Sequence, residues 1–191
     1  MKKGFRWELL TARNWGVLED LFGAKGACGG CWCMTWRTAT KKAFQEGQGE
    51  GNKAALKQLV QQGTPVGVLL FADGDDRAIG WCSVAPREQF PALERSRVLK
   101  PADDRPVWSV SCFFVRKELR RQGLTIQLLK AAAEAVRKQG GQRLEGYPVL
   151  PYTDKMPAAF AWTGLHQAFI DAGFHEAARH SDARPIMRLE L

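Results

Sequence analysis

The stretch FFVRKELRRQGLT, Phe113 to Thr125, joins the two strongest elements of the chain. On its N-terminal side Val107–Val115 (VWSVSCFFV) combines valine, tryptophan and phenylalanine with two alternating serines, the composition of a pleated, half-buried strand. On its C-terminal side Gly123 opens a helix that runs to Gln139. Leu124, Leu128, Ala132 and Val136 recur every four residues, and Leu129 and Ala133 widen that apolar stripe. Arg137 and Lys138 fall in the last turn, where cations suit the helix dipole, and Gly140 ends it. Between strand and helix lie Arg116, Lys117, Arg120 and Arg121. The first N–H groups of any helix lack internal acceptors and carry the positive end of the macrodipole. Glycine at that point lets an oxyanion come close to the main chain. The pattern reads as a diphosphate cradle, with side-chain donors from Arg120, Arg121 and Gln122 and main-chain N–H groups from Gln122, Gly123, Leu124 and Thr125, against a basic loop that merely caps a surface helix.

Working outward, Val66–Ala72 and Ala78–Val84 read as a hairpin about the turn DGDDR, stopped by Pro86. Residues 86–106 read as irregular and charged. After the central helix come a strand at Arg143–Val149, a helix at Trp162–Ala172 closed by Ala172-Gly173-Phe174, and strands at His175–Arg179 and Pro185–Leu191. Towards the N-terminus, Phe5–Leu10 reads as a strand and Thr11–Phe22 as a helix. A glycine-rich break (23–30), a helix near Trp36–Gln45, a mobile loop (46–53) and a helix at Lys53–Gln62 ended by Gly63 follow. The order β-αα-βββ-α-β-α-ββ predicts one mixed α/β domain over 1–191, a mostly antiparallel twisted sheet flanked by helices.

Composition narrows the function. The chain has 191 residues, 45% of them hydrophobic and 25% charged, ordinary for a globular protein that buries its own core. No apolar run approaches the ~18 residues of a membrane span, and MKKGFRWELL has no apolar core of a secretion signal. The expectation is a cytoplasmic protein with no membrane partner. A formal charge of +8 favours anionic partners. The cations are dispersed, and no nucleic-acid-binding signature is present, so no nucleic-acid partner is expected. Cys28, Cys31, Cys33, Cys82 and Cys112 are an odd set, read as free thiols. CGGCWC has no second metal-binding pair, and His166, His175 and His180 lie far from it, so no metal is expected.

Arg120-x-x-Gly123-x-Thr125 resembles the pyrophosphate loop of the GNAT superfamily of N-acetyltransferases, Arg/Gln-x-x-Gly-x-Gly/Ala after the fourth strand. Thr125 replaces the last small residue. The resemblance extends over roughly residues 66–190, through LEGYPV and FIDAGF; the N-terminal third agrees in element order alone. It implies acetyl-CoA as co-substrate, a primary amine of a small molecule or peptide as acceptor, and direct attack in a ternary complex. It divides the chain into an acceptor side (1–63), a CoA-binding core (64–149) and a C-terminal helix with two strands (150–191). The fourth and fifth strands of these enzymes splay apart, which implies the backbone of Phe113 and Val115 as partners of the pantetheine arm. A second copy of the chain is kept among the candidate partners.

The chemistry needs a base for the amine and a proton donor for the CoA thiolate. Several relatives place a glutamate on the fourth strand, but VWSVSCFFV has no carboxylate; Glu145, on the next strand, is the candidate base, against a structurally paired glutamate. Many relatives carry a tyrosine four residues before Gly-Phe, where this chain has Phe169. Tyr152 is therefore the candidate acid, against a water. A covalent route through Cys112 lacks a recognisable histidine partner. The rival functions are a catalytically silent acyl-CoA-binding module and a basic nucleic-acid binder.

Overall fold

The computed structural model describes residues 4–151 and 161–191. In chain order the elements are β1 (Phe5–Leu9), α1 (Trp15–Phe22), α2 (Lys41–Glu46), α3 (Glu50–Gln61), β2 (Gly67–Ala72) and β3 (Ala78–Pro86). After them come α4 (Pro91–Glu94), β4 (Trp108–Val115), α5 (Leu124–Lys138), β5 (Arg143–Gly146), α6 (His166–Asp171), β6 (His175–Arg179) and β7 (Pro185–Glu190). One sheet runs β1-β2-β3-β4-β5-β7-β6. Every neighbouring pair is antiparallel except β4 and β5, which run parallel. Among the described residues no helix is long and apolar enough to cross a membrane.

Covered faces explain the strand sequences. β2 and β3 are near-continuous apolar runs because both faces of the central sheet are buried. On one face α5 lays Leu124, Leu128, Leu129, Ala132 and Val136 onto Val68, Leu70, Val84, Val110, Leu144 and Met187. On the other, Trp15, Leu18 and Phe22 of α1 and Leu56 and Val60 of α3 cover Leu69, Phe71, Trp81 and Cys112. Further along that second face, Phe90, Leu93 and Leu99 from the 86–106 segment close over Tyr147 and Ile186. Arg188 fastens this strap. Its guanidinium donates to Asp103 Oδ2 (2.6 Å) and Oδ1 (3.1 Å) and to Glu145 Oε1 (2.6 and 2.9 Å).

The N-terminal third departs from its sequence pattern. The helix expected near 36–45 shrinks to Lys41–Glu46, started by Thr40, whose Oγ1 accepts from Ala43 N (3.0 Å). Residues 34–38 instead turn to send Arg37 inward, where it is buried. The loop expected at 46–53 is helical from Glu50. Gly49 at its start has φ +84° and donates to Gly30 O (2.9 Å), while Gln48 Nε2 donates to Gly29 O (3.1 Å). Hydrogen bonds to a distant turn hold this stretch, and they leave no trace in apolar periodicity. Residues 86–106 are likewise not wholly irregular, since they include α4. β5 stops at Gly146 rather than Val149, and α6 begins at His166 rather than Trp162.

Gly146 leaves room for the ring of Phe169: a Cβ there would lie 2.2 Å from its Cε1. That ring is held edge-on against Phe113 and Phe174, so it has nowhere to retreat. Gly146→Val should cost about 2 kcal/mol or more, read from urea unfolding, and adding Phe169→Ala should recover part of the loss. Equal stability of Gly146→Val and wild type would refute this packing. Arg188 and, next, Arg105 hold the Asp103 carboxyl well below the usual carboxylate range. With the folded value depressed, its contribution is complete above about pH 4, the unfolded value, and fades as acid drives pH through the lower folded value. Asp103→Asn should therefore narrow the gap between melting temperatures at pH 6 and pH 2.5.

Candidate active site

β4 leads directly into the turn before α5, and there the backbone alternates in handedness. Arg120 is extended at φ −67°, Arg121 has φ +63° and Gly123 φ +74°. Left-handed geometry is free for glycine but strained for arginine. Such alternation converges successive N–H groups into an anion-binding concavity. The first hydrogen bond of the helix is Ile126 N to Gly123 O (3.0 Å), and the N–H groups of residues 121–125 have no acceptor among the described residues. A Cβ placed on Gly123 meets nothing within 4 Å, so the concavity faces open space. The cations divide. Arg116 is turned away, donating through Nε to Ala78 O (2.7 Å) and pairing with Asp20. Lys117, Arg120 and Arg121 are exposed, and Arg120 is braced by Nε to Val115 O (3.1 Å). Gln122 Nε2 reaches Glu118 O at 3.4 Å. Leu124 is buried beneath the turn and Thr125 half-buried beside it.

The opening lies along the C-terminal half of β4, towards the same end as the turn. Parallel pairing with β5 covers Trp108↔Leu144, Ser109↔Glu145 and Val110↔Gly146, then ceases. On the opposite edge the register with β3 slips: Ser83 faces Cys112, while Val84 faces Val110. Ser111 is thus the extra residue of a β-bulge, unmatched on either side at the point where β4 and β5 part. Bulges re-aim backbone groups out of the ladder.

The walls of this opening correct one expectation. The Phe113 N–H donates to the Trp162 carbonyl (2.7 Å), so this chain already supplies the partner expected from the pantetheine arm. Phe113 also packs its ring on Phe169. Val115 lies two residues on, and alternation in a strand puts its N–H on the same open edge. Phe169 is fully buried, with its ring against Gly146 and Gly164, and brings no hydroxyl to the opening.

Glu145 lies on the sheet face away from α5, 1% exposed, and shares Arg188 with Asp103. Both carboxylates line a cavity of about 280 Å³ under the 86–106 strap. Glu145 Oε1 is bonded to Arg188, while its Oε2 is buried with no partner among the described residues. Beside it Tyr147 Oη sits 2.7 Å from Ser109 Oγ and accepts from Arg87 Nη1 (2.7 Å). Burial pushes the Tyr147 hydroxyl well up, so it stays neutral. Tyr152 lies outside the described residues.

Sequence reasoning missed the side chains on the sheet face away from α5. Arg37 donates from Nη2 to Val66 O (3.3 Å) and lies 4.5 Å from the Phe90 ring, yet its Nε and Nη1 have no partner among the described residues. Burial lowers its pKa to about 10, which keeps it a cation at neutral pH. Trp36 and Trp162 pack at 5.9 Å. The one signal available was an arginine placed after the apolar Cys33, Met34 and Trp36 in CMTWRT, with no acid nearby in sequence. Cys33 interacts with both Cys31 and Cys112. Burial raises the Cys33 pKa first, and for Cys31 the hydrogen bond to Cys33 does so, which keeps both thiols protonated. Among the described residues no group of three or more His, Cys, Asp or Glu is placed to hold a metal ion.

Comparison with known proteins agrees with this architecture. Three solved structures share the fold. An acetyltransferase of the GNAT family from Listeria monocytogenes 4b F2365 is 9% identical, with 100% of this chain and 99% of that chain covered and a TM-score of 0.58. The PaiA N-acetyltransferase of Thermoplasma acidophilum, solved with coenzyme A, is 11% identical over 98% and 99%, with a TM-score of 0.54. A ribosomal-protein-S5-alanine acetyltransferase from Vibrio fischeri is 11% identical over 100% and 94%, also at 0.54. At such identities the likeness is one of fold. No curated protein matches the chain. The profile of the Acetyltransferase (GNAT) family matches residues 33–151, well over half of the sequence and including the turn and both parted strands, and the chain belongs to that family.

Proposed function

We propose that this protein transfers an acetyl group from acetyl-CoA to a primary amine of a small molecule or peptide, by direct attack in a ternary complex. The observation that carries the reading is the set of unpartnered N–H groups at residues 121–125, facing solvent at the head of α5 and continuous with the parted edge of β4. The diphosphate of CoA sits on those groups, with Arg120, Arg121 and Gln122 around it. The arm then follows the β4 edge from Val115 towards Ser111, entering past residue 162 rather than bonding the Phe113 N–H.

At the bulge the thioester carbonyl meets backbone N–H groups that stabilise the charge developing on its oxygen. The neutral amine attacks the carbonyl carbon, the C–N bond forms, the C–S bond breaks and the CoA thiolate leaves. The proton lost by the amine goes to water, because Glu145 is committed to Arg188. Tyr152 remains the candidate donor to the departing sulfur. Five free cysteines fit a reducing compartment such as the cytoplasm. A silent acyl-CoA-binding module would share the cradle, and thiol release with an amine panel separates the two.

Arg120→Ala and Gly123→Asp should each weaken CoA binding tenfold or more, seen as a smaller rise in melting temperature at a given ligand concentration. Unchanged binding in both variants would sink the cradle. Glu145→Gln leaves Arg188 short of a charged partner in a buried site and should cost about 3 kcal/mol. The pH dependence of kcat/KM should be unmoved, since it follows the ionisation of the amine. Loss of a basic inflection in that variant would restore Glu145 as the base.

A further inference from the structure

Several buried groups on the sheet face away from α5 have no hydrogen-bond partner among the described residues. They are Arg37 Nε and Nη1, Trp36 Nε1, Ser83 Oγ and Thr163 Oγ1. The contacts around them close a ring. Trp36 precedes Arg37 and packs on Trp162, which precedes Thr163. The Trp162 carbonyl accepts from Phe113, the neighbour of Cys112, and Cys112 faces Ser83 across the sheet. Val84, next after Ser83, donates its N–H to Val66 O, the same carbonyl that accepts from Arg37 Nη2. Arg37, Trp36, Ser83 and Thr163 therefore belong to segments that meet around the β4 bulge. Trp36 and Trp162 are half-exposed.

The chemistry of the set is one-sided. Guanidinium and indole N–H groups only donate, and a hydroxyl donates as readily as it accepts. Arg37 is 8% exposed, and among the described residues no carboxylate acts on it; the ionisable group that does is the Cys33 thiol, which is neutral. The other buried arginines differ. Arg188 has Asp103 and Glu145, and Arg87 has Glu94, Tyr147 Oη and two carbonyls. A buried charge without a partner is costly unless something supplies one.

Resting on the acetyltransferase reading, we propose that Arg37 is the binding partner of a carboxylate carried by one of the two reactants, held next to the bulge by Arg37, Ser83, Trp36 and Thr163. Two sources share this chemistry: an acceptor that is an amino acid, or an acyl group that ends in a carboxylate. Either places a negative oxygen pair a few bonds from the reacting carbonyl and supplies the counter-charge that the fold withholds.

The test has two arms, each a matched pair, with thiol release as the readout. In one, acetyl-CoA is offered with α-amino acids and with the corresponding decarboxylated amines. In the other, succinyl-CoA and butyryl-CoA are compared on one neutral amine. One arm should show at least a tenfold preference in kcat/KM for the carboxylate-bearing partner, and Arg37→Met should abolish it. Arg37→Lys, which keeps the charge but loses the fork of donors, should reduce it and serves if the methionine variant does not fold. Thermal melting with the same amino acids and succinyl-CoA gives an independent readout, because stabilisation must vanish with Arg37. Equal rates and equal melting with and without the carboxylate, or a preference that survives Arg37→Met, would overturn the proposal. Arg37-dependent stabilisation without any thiol release would instead uphold the carboxylate site and reject the transferase reading.

Discussion

The parting of β4 from β5 organises everything else. Their parallel pairing lasts three residues, and the next residues of β5 are Tyr147 and Pro148. Proline has no N–H to give a ladder and is confined to edges and strand ends. Tyr147 is drawn instead to Ser109 and Arg87 on the face under the strap. On β4 the extra residue Ser111 throws the strand out of register at the same level. Each departure on its own would be a local irregularity; together they leave the inner edge of a central strand without a strand partner beyond Val110. The same strand then ends in the left-handed turn that exposes the N–H groups heading α5, so edge and concavity form one continuous polar track.

Charge is distributed unevenly around that track. Under the strap, guanidinium and carboxylate groups meet with short hydrogen bonds, and Arg188 holds Asp103 and Glu145 together across three segments of chain. Such a network fixes geometry more than it adds stability, since desolvation offsets much of the attraction. On the neighbouring patch of the same sheet face Arg37 has a carbonyl and an aromatic ring for company and, among the described residues, no acid. A sequence with 28 basic and 20 acidic residues has enough acid to pair its few buried arginines. The difference between Arg37 and the paired arginines under the strap is therefore one of place and not of composition.

Most of the sheet was legible in the sequence because strand pattern and burial agree there. VWSVSCFFV, the DGDDR turn and the helix opening at Gly123 are found where period and turn chemistry put them. Errors gathered where tertiary hydrogen bonds replace apolar burial, as at Gly49, or where an element is cut short by a neighbour's needs, as at Gly146. The turn with its left-handed Gly123 and exposed helix end is legible because it is local: one turn, one glycine and one helix end. The opposite wall is not, since Arg37, Ser83 and Thr163 come from three distant segments and have no common spacing. Glu145 is a similar case: its place beside β4 follows from strand order, but its partner, Arg188, lies 43 residues away on β7.

Phe169 shows how packing shapes the wall beside the opening. Its ring is fully buried, edge-on to Phe113 and Phe174, and its tip lies where Gly146 and Gly164 have no side chains. Those two glycines clear the space for the ring, and Gly164, at φ +88°, adopts a conformation that favours glycine as well. Phenylalanine fills this place without a polar atom, so the wall beside the opening is made of packed aromatic rings and Phe169 brings no hydroxyl to it. The same packing ties the wall to the sheet: a side chain at Gly146 or Gly164 would have to displace the Phe169 ring, and with it the edge-on contacts that hold Phe113 at the parted edge of β4.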